Sequence, residues 1–231
     1  RGQFAFAIFD SFENSVFLAR DRIGIKPLYY SLNDEFIIFS SELKTIEQSG
    51  TINFEANLDS YLAYLRHLCI PGDQTGNKNI FKLEPGQYAV INKNGDIYKK
   101  TYWDPFKFEI NNDISEHEAI KKVEELLIKS VEYRKVSDVE VGLFLSGGLD
   151  SSLIGKLMKE GSDSKIKSFN IDYEEHFEGY KGEVKEARFA ASEIGVELVE
   201  DTISYSDFKQ LLDNYSFYQD DLVGDEVGIP L

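Results

Sequence analysis

Cysteine is almost absent: the chain has one, Cys69, so no internal disulfide framework can hold it together, and a reducing, cytoplasmic setting is expected. No apolar run approaches the ~20 residues of a membrane-spanning helix, and no signal-peptide pattern is present, so no membrane partner is expected. Basic residues are scarce, with 25 Lys and Arg against 41 Asp and Glu and a formal charge of −16. Such a chain is a poor candidate for tracking phosphate backbones, which sets nucleic acid aside as a partner. His67, His117 and His176 are far apart and lack zinc-ligand spacing. Cys69 itself, in Arg66-His67-Leu68-Cys69-Ile70, reads as a half-buried thiol with no activating arrangement around it. What the chain does have is apolar content, 42% of 231 residues, sufficient for one large or two modest cores. It opens on an arginine inside a strand-like pattern, and is expected to be a piece of something longer.

Two textures follow one another. Over 1–105 the apolar stretches are strand-length and aromatic, at 3–9, 15–20, 28–31 and 36–39. Phe4, Phe6 and Ile8 alternate with Ala5 and Ala7, which predicts a strand packed on both faces; Phe4, Phe6, Tyr29 and Tyr30 read as core aromatics. Asn92-Lys93-Asn94-Gly95 predicts a hairpin turn between 88–91 and 96–100, with Gly95 supplying the positive φ. A helix is predicted over 58–67, then an irregular loop through 72–79. Over 113–231 strand and helix alternate instead. Ser115 and Glu118 have capping-box spacing, and Ile120, Val123, Leu127 and Val131 follow on one helical face. Strands are predicted over 139–145, 166–171 and 196–203, and helices over 151–159 and 183–194. That order predicts a parallel sheet.

One string carries chemistry. An apolar run ending Leu143-Phe144-Leu145 passes into Ser146-Gly147-Gly148-Leu149-Asp150-Ser151-Ser152 and then a helix. Gly147 and Gly148 let backbone approach phosphate oxygens without a Cβ in the way. Ser146, Ser151 and Ser152 offer hydroxyls, and the helix start adds N–H groups and partial positive charge. Asp150 makes sense beside an anion only with a cation between them, a role that suits Mg²⁺. A plain glycine turn with serine caps is the simpler alternative. The whole string behind an apolar strand favours the phosphate site, and no Gly-Lys-Ser/Thr marks it as a Walker loop.

Residues 146–152 resemble the pyrophosphate loop of ATP pyrophosphatases, and Ser137-Asp138-Val139-Glu140-Val141-Gly142 ahead of them is similar to asparagine synthetase, with Glu140 where that family usually has proline. Ser168-Phe169-Asn170-Ile171, then Glu186-Ala187-Arg188, then Asp220-Asp221-Leu222-Val223-Gly224-Asp225 with Ile229-Pro230 resemble later landmarks in order. Upstream, Ala19-Arg20-Asp21-Arg22-Ile23-Gly24-Ile25-Lys26-Pro27-Leu28-Tyr29-Tyr30, Leu83-Glu84-Pro85-Gly86 and Tyr102-Trp103-Asp104-Pro105 are similar to the family's glutaminase domain.

The resemblance implies an α+β sandwich, the C-terminal part of an N-terminal-nucleophile amidotransferase domain, over 1–105. An α/β parallel-sheet, adenine-nucleotide α-hydrolase-like domain over 113–231 would follow it. It implies ATP and Mg²⁺ as cofactors, L-aspartate and glutamine as substrates, and a homodimer as the assembly. Phe144, Leu145 and Ile171 would frame adenine; Ser146, Gly147, Gly148, Ser151 and Ser152 would hold pyrophosphate; Asp150 and Asp225 would carry the metal; Asp221 is the candidate base. Arg20-Asp21-Arg22 would be scaffold, through ion pairing. The family's glutaminase nucleophile is an N-terminal cysteine, not found here, so this chain alone is expected to hydrolyse no glutamine. A relative that amidates or cyclises another carboxylate, or a non-catalytic binding module, stays open.

Overall fold

The computed structural model describes residues 2–33, 35–110, 112–160, 165–174 and 182–224. They form two units. Unit 1 takes the chain to Glu109 and again from Leu212, and unit 2 runs Ile110–Leu211. The sequence pattern breaks near Pro105 and then continues to the end; by contacts the chain instead returns to unit 1 within its last helix.

Unit 1 contains β1 (Ala5–Asp10), β2 (Ser15–Arg20), β3 (Tyr29–Leu32), β4 (Ile37–Ser40), α1 (Leu43–Gln48), α2 (Leu58–His67), β5 (Phe81–Lys82), β6 (Gln87–Ile91) and β7 (Ile97–Thr101). Two antiparallel sheets result, in the orders β1-β2-β6-β7 and β4-β3-β5. Strand β3 serves two cores because successive side chains point to opposite faces. Tyr30 packs with Leu18, Ala89 and Ile91 of the four-stranded sheet, and Tyr29 packs with Leu43 and Ile46 of α1. Both tyrosines are buried, as their sequence context predicts.

Strand β1 departs from expectation. Only the Ala5 and Ala7 face packs on the core, and Phe6 and Ile8 are 40% and 54% exposed. Phe4, Phe6, Phe17 and Tyr88 instead form a row of rings along the sheet, with centroids 5.5, 6.0 and 5.4 Å apart. Alternation of large and small residues marks the two faces without saying that both are covered.

The Arg20-Asp21-Arg22 segment is scaffold, but not through the ion pairs expected of it. Asp21, 1% exposed, accepts backbone N–H bonds from Phe4, Ile23, Ile25 and Lys26 at 2.9–3.3 Å. Arg20 donates to the carbonyls of Gly24, Lys26 and Leu83. The side chains thus supply the partners that an irregular turn's backbone lacks. Cys69 is exposed, not half-buried: it follows Leu68, whose left-handed cap ends α2, and it bridges to Val223 by backbone alone.

Unit 2 contains α3 (Glu116–Arg134), β8 (Leu143–Phe144), α4 (Leu149–Glu160), β9 (Lys167–Tyr173), α5 (Val184–Ile194) and β10 (Glu197–Ile203). The sheet is parallel in the order β10-β9-β8. The last helix, α6 (Tyr205–Gln219), starts in this unit's stretch of chain and ends in that of unit 1. The capping box at Ser115 and Glu118 forms as predicted. Of the predicted α3 face, Val131 is buried, while Ile120 and Val123 are 60% and 55% exposed. Strand β8 is shorter than the apolar run 139–145 predicts. Gly142 lies so close to β9 that a Cβ there would sit 2.7 Å from the Phe169 ring, and Val139 is 77% exposed.

Candidate functional site

The turn from β8 into α4 is built from both sides. Leu145, 1% exposed, donates its N–H to the Phe169 carbonyl at 2.9 Å. Its own carbonyl accepts from the Asn170 side-chain amide at 2.8 Å, so the chain leaves the sheet at a fixed point. Gly147 has φ +80°, and a Cβ there would strike the first turn of α5, 2.6 Å from the Ala187 nitrogen. Gly148 lies outside the left-handed region, and a Cβ there would meet only the Ser146 hydroxyl, at 3.3 Å. The two glycines therefore answer different demands: the first turns the chain against α5, and the second leaves the mouth of the turn open.

Ser152 N–H donates to the Gly148 carbonyl at 3.1 Å, which makes Gly148 the cap of α4. The N–H groups of the first turn then lack intrahelical carbonyls and favour a negative ligand. Ser146 Oγ lies 3.1 Å from Ser151 Oγ and accepts the Gly148 N–H at 3.2 Å. These serines are half-buried, and Gly148 and Asp150 are exposed. Glycine backbone, hydroxyls and a helix start thus meet at one turn, a donor set that suits an oligophosphate.

Asp150 stands in the first turn of α4, where its charge suits the helix dipole but opposes an anion. Among the described residues no three metal-ligating side chains come together. Mg²⁺ at a nucleotide takes one or two carboxylates and draws its other ligands from phosphate and water, and Asp150 fits that share. Asp225 lies outside the described residues, as does His176.

Phe144 is 62% exposed with its ring 6.4 Å from that of Phe169, and Ile171 is half-buried on β9 opposite Asp201. Both backbone groups of Leu145 already have partners, which fixes the turn. Asn170 was not singled out from sequence. It is 7% exposed, and its Oδ1 is buried without a partner among the described residues. A carboxamide within an apolar strand needs a partner, which was the available signal.

The acidic pair falls in unit 1. Asp220 accepts the N–H groups of Leu43 and Lys44 at 2.6 and 2.9 Å. Asp221, the candidate base, accepts from the Tyr29 hydroxyl at 3.3 Å and pairs with Lys82 at 3.2 Å.

Comparison with known proteins finds two families along the chain. Residues 1–103 match the glutamine amidotransferase domain family, and residues 122–231 match the asparagine synthase family. Asparagine synthetase (glutamine-hydrolysing) 1 of Bacillus subtilis is 33% identical over 231 residues, which is 100% of this chain and 35% of that protein. Putative asparagine synthetase (glutamine-hydrolysing) 2 of Methanocaldococcus jannaschii is 36% identical over 233 residues, 99% of this chain and 44% of that protein. A protein named Amidase chry2, from Gibberella zeae, is 31% identical over 193 residues, 76% of this chain and 28% of its own length. The chain thus spans less than half the length of each of these relatives. It carries a stretch matching the glutamine amidotransferase domain family followed by one matching the asparagine synthase family, and relatives named as glutamine-hydrolysing asparagine synthetases run unbroken through the join.

Proposed function

We propose that the complete protein is a cytoplasmic, glutamine-hydrolysing asparagine synthetase in which ATP bound at residues 146–152 activates the side-chain carboxylate of L-aspartate. In this reading residues 1–105 are the C-terminal part of an N-terminal-nucleophile amidotransferase sandwich, and residues 113–231 are the leading part of an adenine-nucleotide α-hydrolase-like domain. The observation that carries the reading is the open turn at Gly148, lined by Ser146 and Ser151 and backed by the start of α4.

A carboxylate oxygen of aspartate attacks the α-phosphorus, the bond to pyrophosphate breaks, and an acyl-adenylate forms. Ammonia from glutamine then attacks the acyl carbon, and AMP leaves with the oxygen that made the attack. Residues 146–148 with Ser151 and Ser152 hold the departing pyrophosphate, whose charge grows as it leaves. Phe144 and Ile171 flank the base. Mg²⁺, held by Asp150 and Asp225, would supply charge neutralisation at the phosphates. Asp221, which accepts from the Tyr29 hydroxyl and pairs with Lys82, is the residue expected to take a proton from ammonia.

The likeness to a protein named as an amidase favours a second reading, in which the same adenylation acts on a different carboxylate. A panel of carboxylates offered to the complete protein separates the two. For the main reading, Asp150→Asn in the complete protein is expected to cut aspartate-dependent pyrophosphate release by about 10²-fold or more while glutamine hydrolysis stays within about twofold. Normal turnover in Asp150→Asn would refute the metal assignment.

A further inference from the structure

Two bonds bracket the ladder between β9 and β10: Glu197 N–H donates to the Ile166 carbonyl at 3.0 Å, and Glu174 N–H to the Ile203 carbonyl at 3.1 Å. Peptide groups alternate sides along a strand, so the even-numbered residues of β9 bond to β10 and the odd-numbered ones turn toward β8. Phe169 follows this rule, its carbonyl taking the Leu145 N–H at 2.9 Å. The next rung of a parallel ladder would run from the Ile171 N–H to the Leu145 carbonyl. It is not made: pairing of β8 with β9 ends at Phe144 and Phe169, and the Leu145 carbonyl accepts from Asn170 Nδ2 at 2.8 Å instead.

A side chain has thus taken the place of a ladder N–H, and the exchange is unfavourable. Asn170 Oδ1 is buried and has no partner among the described residues. Such an atom costs stability that an apolar side chain and one more rung would not. A feature that lowers stability is expected where function requires it. What this one leaves open is the peptide edge of Ile171. Among the described residues its N–H and its carbonyl make no bond to β8 or to the turn that follows. That edge lies at the carboxyl end of a parallel sheet, where open α/β folds take ligands. An adenine ring presents an amino donor beside a ring-nitrogen acceptor, the complement of a free carbonyl and N–H.

We propose that Asn170 is a positioning residue: it ends the ladder between β8 and β9, and so keeps the Ile171 N–H and carbonyl free for the adenine edge of ATP. The functional half of the proposal rests on the ATP site at residues 146–152 given above. Asn170 then joins the two halves of that site, holding the phosphate turn through Leu145 and the base through Ile171.

The test uses the complete protein and two variants, Asn170→Leu, which keeps the volume, and Asn170→Ala, which needs no new space. With the side-chain donor gone the ladder gains its rung. Exchange at the Ile171 amide, measured without nucleotide, is therefore expected to slow by about tenfold or more in both variants. In the unsubstituted protein ATP should slow that amide and tripolyphosphate should not. By calorimetric titration each variant should bind ATP about tenfold more weakly and tripolyphosphate within about twofold of the unsubstituted protein. The preference for ATP over ITP, whose base carries an oxygen in place of the amino group, should fall by a similar factor. Exchange at Ile171 that is unchanged or faster in both variants would overturn the ladder-ending role, whatever the reaction turns out to be. Slower exchange with ATP and tripolyphosphate weakened alike, or neither weakened, would overturn the positioning of the base. If the unsubstituted protein bound neither ATP nor tripolyphosphate, the function reading would fail, and exchange without nucleotide would still decide what Asn170 does to the ladder.

Discussion

Gly147 and Gly148 look equivalent in the sequence and are not equivalent in the fold. At Gly147 the φ of +80° and the nearness of α5 both oppose a side chain. Gly147→Ala should therefore cost about 2 kcal/mol or more of stability, since a strained φ and a backbone clash add together. At Gly148 the only close neighbour is a serine hydroxyl of the same loop. Gly148→Ala should shift stability by no more than about 1 kcal/mol yet weaken ATP binding about tenfold, because its methyl group faces the mouth of the turn. Urea unfolding and calorimetric ATP titration on both variants check the pair. Full ATP affinity in a folded Gly148→Ala would count against the phosphate cradle. The motif was legible because glycine, serine and aspartate at that spacing have few other uses. The reason for each glycine was not, since it depends on α5, some forty residues further on.

At the scale of elements, the turn joining β2 to β3 is held by Asp21. Burial alone would raise its pKa, but the N–H groups of Lys26, Ile25, Ile23 and Phe4 outweigh burial and hold it below the ordinary aspartate value. A depressed folded pKa contributes stability that is fully present above the unfolded value of about 3.9 and is lost as pH falls through the folded one. Asp21→Asn should thus flatten the acid limb of the stability profile and cost about 2 kcal/mol near neutrality. Urea unfolding from pH 7 down to the acid limit measures both, and an acid limb unchanged in Asp21→Asn would contradict the assignment. Elements with strong periodicity or caps were legible: α2, β2, the Ser115 capping box and the Gly195 terminus of α5 stand where the sequence puts them. Helix α1 escapes a sequence reading because the carboxylate that takes its first N–H groups belongs to Asp220, which no local pattern can reveal. Strand β5 was missed because two residues carry no period, and β8 was overdrawn because an apolar run does not say how much of it finds a ladder.

For the molecule as a whole, a formal charge of −16 gives no general attraction for a nucleotide, so the proposed ATP recognition would rest on local geometry at residues 146–152 and on metal. In the proposed function that geometry serves adenylation of a carboxylate, with pyrophosphate as the leaving group. An alternative route through an acyl-phosphate would release ADP and leave the oxygen in inorganic phosphate. The decisive measurement is the fate of that oxygen. L-aspartate labelled with ¹⁸O in its side-chain carboxylate is turned over by the complete protein with ATP and ammonium, and the products are weighed by mass spectrometry. One labelled oxygen is expected in AMP and none in pyrophosphate. Label in inorganic phosphate with ADP as co-product, or AMP formed without label, would contradict the assignment.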